Sequence, residues 1–134
     1  MESLRRLLEE DAFARHLKIE LIAMKEGYAR ARMPIEAIHR NSFDMVHGGA
    51  IYSLADYVFQ VASNSHGALC VAIQASISYL QSPNAALLEA EATEVSRTKR
   101  LANYSIRVTE EGDRLIALFH GIVYRMPDKS PLKS

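Results

Sequence analysis

The sequence predicts an α+β domain: an antiparallel sheet wrapped against one long buried helix. Two observations carry that prediction. Residues 50–64 (AIYSLADYVFQVASN) are mostly apolar and hold no Gly or Pro, as in a helix buried around most of its circumference. Beyond residue 67 the chain runs through four strand-like segments separated by turn residues. Length supports one domain spanning 1–134, since domains of about 100–150 residues are the commonest.

Each element has its own signal. Residues 2–15 place Leu4, Leu7, Leu8, Ala12 and Phe13 near one face, which predicts a short amphipathic helix. Leu17, Ile19 and Leu21 alternate with Lys18 and Glu20, predicting a half-buried strand. Lys25-Glu26-Gly27 reads as a hairpin turn, and a second strand runs from Tyr28 to Met33, stopping at Pro34. Residues 34–46 read as a loop. The long helix ends at Ser65-His66-Gly67. The later strands are Val71–Tyr79, Leu88–Val95, Leu101–Thr109 and Leu115–Tyr124, in meander-like succession. The last is apolar on both faces and so expected to be central. The tail at 127–134 is expected to be loose.

Composition removes several function classes. Lys and Arg (16) balance Asp and Glu (16), which argues against a nucleic-acid binder that works by net charge. A single cysteine, Cys70, excludes an intramolecular disulfide framework and a thiolate zinc cage. His16, His39, His47, His66 and His120 show no metal-ligand spacing, so no metal is assigned. There is no Gly-x-Ser-x-Gly elbow and no phosphate loop. No apolar run reaches the roughly 20 residues that cross a bilayer, and the first 17 residues do not form a signal peptide. Glu2, Glu9, Glu10 and Asp11 oppose binding to an anionic lipid surface. A cytoplasmic setting without membrane association is the expectation.

The chemistry concentrates at Asn41 to Gly49 and in the helix that follows. Ser53, Asp56, Gln60, Ser63 and Asn64 recur at steps of three and four and share one narrow stripe. On so apolar a helix, Asp56 is either an ordinary acid facing water or an acid lining something specific. Gly48-Gly49 either make the turn into the helix, with His47 capping or packing, or leave bare N–H groups where the helix dipole favours negative charge. Arg97, Lys99 and Arg100 are either a solvated turn or an anion-binding cluster. Cys70 reads as an inert buried thiol.

His47-Gly48-Gly49 followed by Ala-Ile-Tyr-Ser-Leu-Ala-Asp56 resembles the signature of hotdog-fold thioesterases, in particular the PaaI (phenylacetic acid degradation) branch of the acyl-CoA thioesterases. The resemblance extends to Asn41, to Ala62–Ser65, to Ile73–Leu80 and to Glu94–Arg100, and covers roughly residues 15–125. It implies that Asp56 is the catalytic carboxylate. It implies that Gly49 or Gly48 gives the oxyanion N–H and that Asn41 helps to orient water or thioester. It also implies that coenzyme A phosphates contact the neighbourhood of Arg97, Lys99 and Arg100. His47 is expected to support the helix start rather than to act as a general base. No cofactor is implied beyond the coenzyme A of the substrate. Two positions depart from the pattern. Many relatives have Gly where this chain has Asp44, and some have an assisting hydroxyl where it has Ala72. Ser76 and Ser78, read as sharing the strand parity of Ala72, are the candidate substitutes.

Spacing adds a demand on assembly. Gly48 and Asp56 are eight positions apart, hence about 12 Å along one helix. An oxyanion donor and a base acting on one carbonyl must each lie within about 3 Å of it. Two chains related by a two-fold, with helices side by side and antiparallel, solve this, as a homodimer or within a homotetramer. Three alternatives stay open. An acyl-CoA hydratase or dehydratase usually needs a His paired with the acid. A non-catalytic acyl-CoA binding module would release no thiol. A structural assembly subunit would bind no acyl-CoA.

Overall fold

The structure is a computed structural model and describes residues 1–132. Two short helices, α1 (Glu2–Glu9) and α2 (Ala12–His16), precede a hairpin of β1 (Glu20–Lys25) and β2 (Tyr28–Pro34). A loop with one 3-10 turn at Ala37–His39 leads to α3 (Gly48–Asn64). Four strands follow: β3 (Leu69–Tyr79), β4 (Leu87–Arg97), β5 (Leu101–Glu110) and β6 (Arg114–Met126). All pairings are antiparallel, in the order β1-β2-β4-β5-β6-β3. This is the α+β fold expected, with α3 packed against every strand.

Small side chains let the helix settle on the sheet. Ala29 and Ala31 of β2 lie opposite Ala92 and Ala90 of β4, all buried beneath α3. Leu54, Val58 and Val61 fill the space above them and are fully buried. Phe59 lies against the backbone of Gly121 and packs on Phe119 and Tyr104. Register shifts in β1, β3, β4 and between β5 and β6 bend the strands around this core.

Several expectations need correction. The helix expected at 2–15 breaks at Glu10-Asp11, because the Asp11 carboxylate accepts from Ala14 N–H (2.9 Å) and starts a second helix. Leu7 and Phe13 are therefore exposed, while Leu4, Leu8 and Ala14 are buried. The first strand begins at Glu20 rather than Leu17, since Leu17 caps α2 and Lys18 takes a left-handed φ of 62°. The last four strands are not a full meander: β3 crosses to the far edge and pairs with β6. The β4 strand runs through Arg97, so the turn is Thr98–Arg100. The β6 strand is interior, but Leu118 and Tyr124 on its outer face are exposed. The tail is held as far as Lys129, whose carbonyl accepts from Leu69 N–H (3.0 Å). Residues 133–134 of that expected loose tail lie outside the described residues.

Candidate active site

His47 starts α3 in an extended conformation, and its Nδ1 accepts from Gly49 N–H at 2.8 Å. Its carbonyl takes the N–H groups of Ala50 (3.0 Å) and Ile51 (3.2 Å). One amide of the first turn is left: among the described residues, nothing accepts from Gly48 N–H. The helix start is thus a single open donor backed by the dipole, rather than a pair. The Tyr79 hydroxyl, from the end of β3, donates to Gly48 C=O (3.1 Å). Val46, Ile51, Tyr79 and Leu80 line a groove of about 330 Å³ around Gly48. Tyr79 was not among the residues the sequence singled out, because only the pairing of β3 with β6 brings it to the helix start.

Asn41 and Asp44 build the approach to this helix. Asn41 Oδ1 accepts from Phe43 N–H (2.9 Å) and Met45 N–H (3.1 Å), and Arg40 donates to Asp44 C=O (2.9 Å). Asp44 has φ of 60°, the left-handed region where glycine is easiest and aspartate is tolerated. Asp44 thus takes the conformation that the Gly expected from the resemblance would adopt most easily. Beneath, the buried His39 accepts from Glu36 N–H through Nδ1 (2.9 Å), and its carbonyl takes His47 N–H (2.7 Å). The loop is braced from both ends.

Asp56 lies two turns into α3 and is half-buried. Among the described residues no side chain or backbone group hydrogen-bonds its carboxylate. Burial pushes its carboxyl above the ordinary aspartate value, and the nearby Asp11 charge pushes it further. The Tyr52 ring, one turn earlier, packs edge-on against Phe119 at 5.3 Å. Of the rest of the stripe, Ser53 is half-buried and donates to Gly49 C=O (2.8 Å), and Gln60 is exposed. Ser63 and Asn64 are buried, with Asn64 bonded to both backbone groups of Cys70.

The basic turn sits elsewhere in the same chain. The Arg125 guanidinium donates to the carbonyls of Thr98 (2.9 Å) and Lys99 (3.2 Å), and Arg125 pairs with Cys70 beside the C-terminal end of α3. Arg97 is held by Glu94 at 3.3 Å, whereas Lys99 and Arg100 are exposed and make no ion pair among the described residues. The parity assigned to Ser76 and Ser78 is wrong. A bulge between Ala72 and Gln74 makes Ala72 face α3 with its partner Val123, while Ser76 and Ser78 pair with His120 and Leu118 on the outer face. Neither hydroxyl can take the place of one at Ala72 in its own chain.

A sequence profile described as Thioesterase superfamily matches residues 43–117, more than half of the chain and including the helix start, Asp56 and the basic turn. The chain belongs to the thioesterase superfamily. Within that superfamily its fold and sequence are those of the hotdog, PaaI-type thioesterases. The Escherichia coli protein named acyl-coenzyme A thioesterase PaaI is 35% identical over 121 residues, covering 90% of this chain and 86% of the relative. The solved structure of the E. coli PaaI protein superposes with a TM-score of 0.88 at 33% identity, covering 93% of this chain and 91% of that one. A protein of Archaeoglobus fulgidus, whose name marks it as a candidate esterase, is 40% identical over 126 residues, covering 93% and 82%. Hydrolysis of a thioester is the chemistry of this superfamily.

Proposed function

We propose that this thioesterase hydrolyses acyl-coenzyme A at two equivalent sites, each shared between two copies of the chain. One observation carries the reading. The open Gly48 amide and the half-buried Asp56, which has no hydrogen-bond partner among the described residues, sit about 12 Å apart on one helix. Each is half of a site. The E. coli relative, by its name, acts on acyl-coenzyme A.

The sheet supports the pairing. At the β1 edge the Arg5 guanidinium covers the carbonyls of Leu21 (3.3 Å) and Ile22 (3.4 Å). At the β3 edge nothing comparable among the described residues protects eleven residues that contain no charge and no proline. Val71, Ile73 and Tyr79 are exposed there. A long bare apolar edge pairs with another strand unless it is blocked. Pairing β3 with β3 of a second copy about a two-fold sets the two α3 helices antiparallel, with Gly48 of one facing Asp56 of the other.

In that arrangement the thioester oxygen lies on Gly48 N–H, since His47 already holds Gly49 N–H. The helix dipole adds to the stabilisation of the growing negative charge. Asp56 of the other chain takes a proton from water, whose oxygen bonds to the acyl carbon. The C–S bond then breaks and the proton passes to the departing coenzyme A sulfur. Direct attack by Asp56 through a transient anhydride uses the same positions. Asn41, through the loop it braces, holds the amide in place. The basic turn fits the same picture, because antiparallel helices bring the Lys99 and Arg100 end of one chain toward the glycine end of the other, where coenzyme A phosphates would pass. The free, buried Cys70 is in keeping with the reducing cytoplasm, and no helix among the described residues is long and apolar enough to cross a membrane.

Thiol release from acyl-coenzyme A measures the activity. Asp56→Asn should lower turnover by orders of magnitude with the fold retained by circular dichroism, and unchanged turnover would remove Asp56 from the mechanism. A single turnover in ¹⁸O water separates the two routes, since label entering Asp56 itself marks direct attack.

A further inference from the structure

A second groove lies beside the site. It runs between the N-terminal helices, the last two turns of α3 and the first residues of β3, and has a volume of about 520 Å³. That is within the roughly 300–1,000 Å³ of small-ligand pockets. Leu7, Leu8, Gln60, Asn64, Leu69 and Cys70 line it. Gln60 is one turn beyond Asp56 and Asn64 two turns, so the groove leads away from the carboxylate for about 12 Å. Its walls are mainly aliphatic, the carboxylates of Glu10 and Asp11 also lie on its lining, and no aromatic ring lines it. Asn64 offers it little polarity, because its amide is spent on Gln60 C=O (2.9 Å) and on both backbone groups of Cys70.

A second feature points to the same place. Phe43 is 81% exposed, the most exposed large apolar side chain among the described residues. It is not on a loose loop: Asn41 Oδ1 accepts its N–H, and the loop is closed by the Arg40–Val46 bridge. Phe43 precedes Gly48 by five positions. With the helices antiparallel and Gly48 facing the other chain's Asp56, a segment leaving Gly48 along the line of α3 would head toward that chain's Gln60 and Asn64. This is the direction in which the groove runs.

We propose that this groove receives an unbranched aliphatic acyl chain of medium length, and that Phe43 of the second copy closes its far end and sets the length accepted. The inference rests on the thioesterase reading and on the two-fold pairing. The acyl carbonyl sits between Gly48 and Asp56, the chain lies along Gln60 and Asn64 against the leucines, and the ring ends the space.

The test is thiol release across straight-chain acyl-coenzyme A substrates from acetyl to palmitoyl, with phenylacetyl-coenzyme A beside them. Phe43→Ala should move the preferred length upward, changing the long-to-medium ratio of kcat/KM by about tenfold, the effect of a methylene or more in an apolar pocket. Leu7→Trp should move it downward. A Leu7→Cys, Phe43→Cys double variant should form a disulfide-linked dimer under oxidation, while the buried Cys70 stays reduced. Release with unchanged length ratios in both single variants, and no linked dimer, overturns the inference alone. Preference for phenylacetyl over every straight chain overturns the aliphatic assignment. No release from any acyl-coenzyme A overturns the thioesterase reading and this inference with it.

Discussion

Asp56 is held in a state that suits chemistry more than stability. Its carboxyl binds a proton more readily in the folded chain than in the unfolded one, because burial and then the Asp11 charge oppose ionisation. Between the ordinary aspartate value and the raised folded value, the native state carries more protons, so stability falls as pH rises through that window. Asp56→Asn removes the ionising group. It should raise the melting temperature at neutral pH while abolishing turnover, and a lower melting temperature would contradict this account of the site. Asp11→Asn keeps the cap of α2, since Asn caps as well as Asp, but removes the like charge. The acid limb of the pH–rate profile should then move to lower pH, though not to that of a solvated aspartate, because burial is the larger cause. At this scale the sequence was informative. Asp56, the glycines and His47 stand out by residue type and spacing, and the structure adds that His47 takes Gly49 and leaves Gly48. The error over Ser76 and Ser78 arose from one bulge residue, which reverses parity without any mark in an alternating sequence.

The elements were legible where local signals dominate and illegible where packing decides. The boundaries of α3, the β1–β2 turn at Gly27 (φ 73°) and the β4–β5 hairpin follow from turn chemistry and periodicity. The break between α1 and α2 was hidden, because Asp11 suits a helix surface as well as a cap. The place of β3 was hidden too, since its partners on β6, from Ala117 for Tyr79 to Met126 for Leu69, are far along the chain and alternation does not name a partner. That placement governs the core. With β3 at the far edge, β6 runs beneath α3 and Gly121 meets the Cζ end of the Phe59 ring. A Cβ at residue 121 would fall inside contact distance of three ring atoms. Gly121→Ala should therefore cost about 1–3 kcal/mol in denaturant unfolding, as overpacking of a filled core does. A change of under a few tenths would mean that the ring moves freely aside.

The molecule as a whole presents one sheet edge covered in part by Arg5 and another left bare, and one helix on which the Gly48 amide and the Asp56 carboxylate lie about 12 Å apart. Sequence spacing already implied the second copy, through the 12 Å between Gly48 and Asp56. It could not show the bare edge, which depends on strand order. The measurement that tests the shared site most directly is complementation between two variants. Gly48→Pro deletes the single open N–H at the first helical position, where proline is well tolerated and the extended His47 before it suits a following proline. Asp56→Asn deletes the acid. Each homodimer should be inactive. In a mixed dimer, Gly48 from one chain meets Asp56 from the other at one of the two sites. Refolding the two variants together at equal amounts should then restore about a quarter of the wild-type rate. If the mixture stays as inactive as its components while wild type refolds to full activity, the site is not built from two chains.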